Sequence, residues 1–322
     1  MTTIQLPANA YEEQLPQLIA RLGEADASDE IGLDFAKVQF YTPGALVLLL
    51  TKLQWWESRG KKIFFGNFEK CAAVGYLQRI DFFSQTGIKL PENFKRHTAG
   101  GRFVELRRIG GEGAESVEQL STGIADCIFP DANVEDPEES GLFDLLQYSV
   151  SELANNVRQH SRSQGFAMAQ YTGRTDLIRV AIADSGIGIT RSFTENGSPF
   201  WKEGMSDADG IELALRPKVS SKGHLTTAWG ESINAGVGLT LLKEFAERTE
   251  GNLFIASGKG IYWRKGRNTG NLLKTTETPF NGTVCSIAFT RSQVRTFVEL
   301  MQAAKQETGL LPAATQTGKF FS

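Results

Sequence analysis

The segment Val180-Ala-Ile-Ala-Asp-Ser-Gly-Ile-Gly-Ile189 constrains the fold of this chain more than any other. Four small apolar residues run without a break into the carboxylate of Asp184, and Gly186 and Gly188 follow at alternate positions. A short apolar run bounded by turn residues reads as a buried strand. A carboxylate at the strand exit, with two glycines behind it, suits the close approach of a planar ligand to the backbone, because glycine has no Cβ. An Asx turn at an ordinary strand exit accounts for the same letters. The neighbouring segments have to decide between these readings.

Upstream, a helix is expected over about Leu142 to His160. Its residues Glu152, Asn156 and His160 recur every four positions and so form one stripe on one face. Leu145, Leu146, Leu153 and Val157 supply an apolar surface beside that stripe. Downstream, Asn234-Ala-Gly-Val-Gly-Leu239 opens a helix that should end near Glu247. Gly236 and Gly238 leave the first N–H groups and the positive dipole end of that helix accessible, which suits a phosphate. Gly282-Thr283 then opens the last apolar strand. Each feature is weak alone: the stripe reads equally as a solvated face, and a single Gly-x-Gly is common. Between them, Thr190 to Asn234 dissolves into Gly, Ser, Lys and short apolar pieces. A loop of that length in a compact domain is functional or disordered, and it is expected to be a mobile lid.

In this order and spacing the pieces resemble the GHKL family, which includes gyrase B, heat-shock chaperone ATPases, mismatch-repair ATPases, histidine kinases and anti-sigma-factor kinases. Glu152-x-x-x-Asn156-x-x-x-His160 is similar to the family's N box. Asp184-Ser-Gly-Ile-Gly188 is similar to its first glycine box, Gly236-Val-Gly-Leu239 to its second, and Gly282-Thr283 to its terminal Gly-Thr. The resemblance covers about residues 101–292 and implies an α/β sandwich that binds ATP with Mg²⁺. It assigns Asp184 to the adenine amino group, with Thr283 in support and Gly186 and Gly188 letting the ring approach. Asn156 would ligate Mg²⁺, which keeps water and phosphate oxygens as its other ligands. Gly236, Gly238 and Leu239 would offer backbone N–H groups to the phosphates. Glu152 would be the general base acting on water or on a substrate hydroxyl. The role of His160 is left open, and Lys218, Lys222, Ser220 and Ser221 in the lid either reach the γ-phosphate or, the favoured reading, belong to a solvated loop.

The first ninety or so residues alternate strand and helix patterns, the order of an α/β domain. Ile31 to Phe40 reads as a strand with its exit, Ala45 to Ser58 as a helix, Lys62 to Phe65 as a strand and Glu69 to Ile80 as a helix. Around Leu90 to Gly101 the composition turns to Pro, Asn, Lys, Thr and Gly, which marks a boundary. This half resembles a STAS domain, the fold of anti-sigma-factor antagonists. That family carries Asp-Ser-Ser-Gly at the strand-to-helix turn, where this chain has Tyr41-Thr42-Pro43-Gly44. Thr42 is therefore expected to start the helix and not to accept phosphate. Trp55 and Trp56 point about 100° apart on a helix, so one of them is expected near the surface, as a partner anchor or, alternatively, packed against the second domain.

The expected plan is thus a STAS-like partner-docking domain over 1–96, a GHKL histidine-kinase-like ATP-binding domain over 101–292, and a C-terminal helix and tail over 293–322. In the second part a strand is expected at Arg102 to Ile109, and a helix opened by a Ser116/Gln119 capping box. A polar loop follows at Pro130 to Ser140. Further strands are expected at Gly165 to Tyr171, Leu177 to Ala183, Asn252 to Ser257, Gly260 to Arg264 and Thr283 to Phe289.

The net charge of −3, from 34 basic and 37 acidic side chains, provides no field for nucleic acid. The most apolar run, Ala45 to Leu50, is far shorter than the roughly 20 residues that span a bilayer. Three widely spaced cysteines show neither disulfide-framework nor metal-ligand spacing, as in a reducing cytoplasm. Of the three histidines His97, His160 and His224, none lies in a dimerisation helix, so a true histidine kinase is not expected. With only about thirty residues after Phe289, neither is a mechanical ATPase with a transducer domain. What remains is a cytoplasmic ATP-binding regulatory protein of the ATPase or anti-sigma serine/threonine kinase type. The alternative is an ATP-sensing interaction module with little or no turnover. Its partners would be ATP and a regulatory protein, with a homodimer allowed and neither nucleic acid nor membrane.

Overall fold

The computed structural model describes residues 1–97, 99–133, 135–221, 226–227, 230–231, 236–266 and 272–312. The fold is mixed α/β. The N-terminal half runs β1 (Thr2–Gln5), β2 (Asn9–Ala10), α1 (Leu15–Gly23), β3 (Glu30–Asp34), β4 (Phe40–Tyr41), α2 (Pro43–Ser58), β5 (Lys62–Gly66), α3 (Val74–Arg79) and α4 (Phe82–Gln85). Its parallel sheet has the order β1-β3-β5, and β2 pairs with β4. The remainder runs β6 (Arg107–Ile109), α5 (Val117–Ile128), α6 (Pro137–Asn156), a π turn at Val157–Ser161, β7 (Gly165–Thr172), β8 (Leu177–Asp184), α7 (Gly188–Glu195) and α8 (Asp207–Ala214). It continues with β9 (Thr226–Thr227), β10 (Gly230–Glu231), α9 (Gly238–Arg248), β11 (Asn252–Lys265), β12 (Leu272–Thr290) and α10 (Phe297–Glu307). Here the main sheet is antiparallel, in the order β11-β12-β8-β7-β6.

The period-two alternation of β8 explains how the layers stack. Val180 and Ile182 point into a core with Leu153, Val157, Leu241 and Phe245 from α6, the π turn and α9. Ala181 and Ala183 point the other way, into a core that contains α2. Their small side chains let that helix come close. At the start of α2 the approach is closest: a Cβ on Gly44 would lie 2.8 Å from Ser286 Oγ of β12. Pro43 to Leu53 are buried without interruption, since α2 packs on β4 and β5 and also on β7, β8 and β12. A helix apolar all round is one covered all round. The boundary near residue 97 therefore separates two sheets but not two cores. Ile4, Leu33 and Leu49 share a cluster with Phe166, Ala183 and Val284. Deep between the halves, Arg179 Nε of β8 lies 3.7 Å from Glu12 Oε1, both nearly excluded from solvent.

Several sequence expectations are met closely. Ser116 Oγ accepts from Gln119 N at 3.1 Å, and Gln119 Oε1 accepts from Ser116 N at 3.0 Å, so the capping box opens α5. Thr42 is buried at the start of α2, its Oγ1 donating to Ala10 O at 3.3 Å. Trp56 is fully buried and donates from Nε1 to Asp26 at 2.8 Å, while Trp55 is half-buried beneath Lys52 and Arg59.

Others are corrected. The strand expected from Ile31 stops at Asp34, whose Oδ1 accepts from Ala36 N and turns the chain. The helix expected from Glu69 is broken by a 3₁₀ turn, and its α-helical part is Val74–Arg79. The strand expected from Arg102 pairs regularly only over Arg107–Ile109, because Leu106 N bonds to Ile80 O of the N-terminal half. The helix expected from Leu142 starts inside the expected polar loop, at Pro137, where proline's missing N–H costs nothing. The two strands expected over 252–264 are one, bulged at Gly258, where the N-terminus of α8 presses in: Asp207 Oδ2 accepts from Lys259 N at 2.7 Å. Residues 190–221 are not a featureless lid. They form most of α7 and all of α8, with Phe193 stacked on Trp201 and Ile211 and Leu213 buried. Lys222, His224 and Asn234 lie outside the described residues. The elements β1 and α1 were not expected at all, although Leu15, Leu18, Ile19 and Leu22 bury one face of α1 with helical spacing. Among the described residues no helix is long and apolar enough to cross a membrane.

Candidate functional site

The register of the central sheet brings the first glycine box and the terminal Gly-Thr together. Asp184 ends β8 directly opposite Thr283 of β12. Its carboxylate is 5 % exposed and accepts from the backbone amides of Gly186, at 2.8 Å, and of Thr283. Burial pushes its pKa up to about 7, against the pull of those two amides, and among the described residues no cation offsets that rise. Ile182, Ile255 and Cys285 give the walls around it an apolar surface, and burial pushes the Cys285 thiol up to about 12.

Asp184 lies at one end of a cavity of about 410 Å³. Glu152, Asn156 and His160 line it from α6 and the π turn, and Gly188 lines it from α7. Gly236, Gly238 and Leu239 line it from the start of α9, Thr283 from β12, and Val219 to Ser221 from the segment after α8. One expected site residue does not line it. Gly186 stands behind the wall, where a Cβ would overlap the Ser161 carbonyl, and it acts through its N–H on Asp184. Lys218 is exposed and outside the lining.

The glycines hold the two ends in place. Gly282 has φ of +122°, and a Cβ there would overlap the Asp184 carbonyl oxygen. Gly188 has φ of +77°, with Ser257 Oγ 2.9 Å from the position of its missing Cβ. At the far end, α9 begins at Gly238 after Val237, which caps no N–H with its side chain. The N-cap residue thus offers the first-turn amides of this helix no side-chain acceptor of its own, the arrangement that receives anions. Glu152 packs against Gly238 where a Cβ would sit. Burial raises the pKa of Glu152, and a hydrogen bond from the Tyr148 hydroxyl works against that rise.

Two contributors escaped the sequence reading. Tyr148 extends the stripe of Glu152 and Asn156 by one more step of four, so its signal was present. Ser257 had none: its Oγ accepts from Ile189 N at 2.8 Å and donates to Gly282 O at 3.0 Å, tying both glycine turns to β11. His160 reaches the cavity from the π turn, with Nδ1 3.1 Å from Ser221 Oγ. Among the described residues no group of three or more His, Cys, Asp or Glu could by itself hold a metal. Asn156 beside Glu152 offers one amide and one carboxylate, a set that suits a magnesium ion ligated chiefly by phosphate and water.

No family model matches the chain, and no curated protein matches it significantly.

Proposed function

We propose that this cavity binds magnesium-ATP, and that the chain is a cytoplasmic GHKL-type regulatory protein with a STAS-like N-terminal half. It hydrolyses ATP or passes the phosphoryl group to a Ser/Thr hydroxyl of a partner protein. The observation that carries the proposal is Asp184: a buried carboxylate that no cation among the described residues offsets, in a partly apolar cavity also bordered by the N-terminus of α9. A buried polar group is costly unless paired, and an exocyclic amine on a planar base supplies the missing donor. Thr283 and Gly188 border the space for the ring, and Gly236, Gly238 and Leu239 border the space for the phosphates. Asn156 would hold the magnesium ion, which neutralises charge on the phosphates. Glu152, whose pKa burial raises, is suited to take a proton from an incoming hydroxyl.

The reading as a nucleotide-sensing module with little turnover has its own support in the shared core, which would transmit nucleotide occupancy to the N-terminal half. Glu152 favours turnover. Calorimetric titration of magnesium-ATP into the wild type and Asp184→Asn tests the proposal. The variant amide would have to face backbone donors, and binding should be lost in it. Equal affinity in both proteins would remove the basis for the reading.

A further inference from the structure

Three side chains that nucleotide binding leaves without a task form a hydrogen-bonded group in the same cavity. Ser192 of α7 donates to Ser221 Oγ at 2.9 Å, and Ser221 Oγ lies 3.1 Å from His160 Nδ1. Ser192 Oγ is itself 3.5 Å from that nitrogen, and Asn196 Nδ2 donates to Ser192 O at 2.8 Å. Both serines are buried, at 5 % and 6 % exposure, yet both line the cavity. With Ser192 donating to Ser221, the Ser221 hydroxyl donates to Nδ1 in the imidazole tautomer protonated at Nε2. A hydroxyl directed at an imidazole nitrogen, with a third group fixing the pair, is the arrangement of an activated nucleophile.

The position of Ser221 supplies an electrophile. It ends a short stretch from Val219, whose carbonyl would lie 2.5 Å from a Cβ on Gly236. Gly236 leads directly into the α9 N-terminus at Gly238. The hydroxyl and the phosphate cradle are therefore walls of one cavity.

We propose that Ser221 is an internal phosphoryl acceptor: the chain transfers the terminal phosphoryl group of a bound nucleoside triphosphate to its own Ser221 Oγ. This rests on the nucleotide reading above and names where the phosphoryl group goes. Ser221 Oγ forms a bond to the γ-phosphorus while the bond from that phosphorus to the β–γ bridging oxygen breaks. The bridging oxygen leaves on the diphosphate with the electron pair, and the Oγ proton passes to His160 Nδ1. The products are ADP and a phosphoserine at position 221, with nothing oxidised or reduced.

The test incubates the full chain with magnesium and γ-labelled ATP and maps the label by mass spectrometry, with ATP binding measured separately by calorimetry. One phosphoryl group should appear on Ser221 at a rate independent of protein concentration. Ser221→Ala should lose the label and still bind ATP, and Ser221→Thr should keep it at the same position. His160→Ala should slow labelling by about 10²–10⁴-fold, and added imidazole should restore part of the rate, which a merely structural histidine would not allow. Bound ATP with no label, label on another residue, or a rate rising with protein concentration overturns the proposal while sparing the nucleotide site. Absence of ATP binding removes both. Should Ser221→Ala fail to fold, the label map of the wild type and of Ser221→Thr decides.

Discussion

Lys52 Nζ donates to Asn281 Oδ1 at 2.9 Å, joining the central helix of the N-terminal half to the residue just before Gly282 and Thr283. The same ammonium pairs with Asp26 at 2.7 Å, and Trp56 Nε1 donates to that carboxylate at 2.8 Å. Burial lowers the pKa of Lys52, and Asp26 opposes the shift. A polar cluster thus sits at the core that both halves share, next in the chain to the Gly282-Thr283 turn that borders the cavity.

Lys52→Met should destabilise the whole chain by about 3 kcal/mol, the low end for breaking a buried pair, since Asp26 keeps some contact with water. Urea unfolding followed by tryptophan fluorescence and by far-UV circular dichroism measures this. Both probes should give one coincident transition in the wild type, because the core is continuous. Two separated transitions would show that the halves fold independently.

Asp184 should leave a signature in the pH dependence of stability. Its folded pKa lies above its ordinary value of 3.8, at about 7. Between those values the folded chain holds a proton that the unfolded chain has released, so this group makes stability fall as pH rises through that window. The full shift corresponds to roughly 4 kcal/mol. Denaturation midpoints from pH 4 to pH 8 should carry this slope in the wild type and lose it in Asp184→Asn. Identical slopes in the two proteins would mean that Asp184 ionises normally.

Two glycine substitutions should separate catalysis from folding. In Gly238→Ala the new methyl meets the far end of a flexible side chain, Glu152 Oε2. The carboxylate should swing aside: stability stays within about 1 kcal/mol, since alanine favours the helix, while ATP turnover falls about 10²–10⁴-fold. In Gly282→Ala the methyl meets backbone, at a φ of +122° that L residues rarely adopt. That variant should unfold at markedly lower denaturant or fail to express. Equal stability of the two variants would contradict the geometry.

Glu152→Ala should still bind magnesium-ATP, because its carboxylate lies against Gly238 of α9 while Asp184 ends β8. It should lose most hydrolysis, on the order of 10²–10⁴-fold. Release of inorganic phosphate at an unchanged rate would mean that another base acts on water.

Elements whose signal is local were legible in the letters. The capping box at Ser116 and Gln119 bonds backbone to side chain within one turn, and β7 and β8 show through the apolar runs Phe166 to Ala169 and Val180 to Ala183. The stripe of Glu152, Asn156 and His160 follows from helical spacing, and it does line one cavity. Residues 190–221 were misread because Phe193 and Ile211 sit in short helices and Trp201 lies in the segment between them, which leaves no sustained period to detect. The break at Asp34 rested on a single side chain turning back to its own backbone, too small a signal to outweigh the apolar run around it.

By itself the sequence determined which residues stand together along one element: Asp184 with its two glycines, the stripe on α6, the glycines before α9. Periodicity and glycine's lack of a Cβ are properties of neighbours in the chain. Only the tertiary structure decided what faces them. Thr283 meets Asp184 through strand register, Ser257 ties both glycine turns from a third strand, and Ser221 meets His160 across two helices. The apolar-rich α2 was likewise legible as a helix, but not that part of its cover is the outer face of the second sheet. Contacts of this kind depend on packing between elements far apart in the chain, and no local pattern encodes the partner.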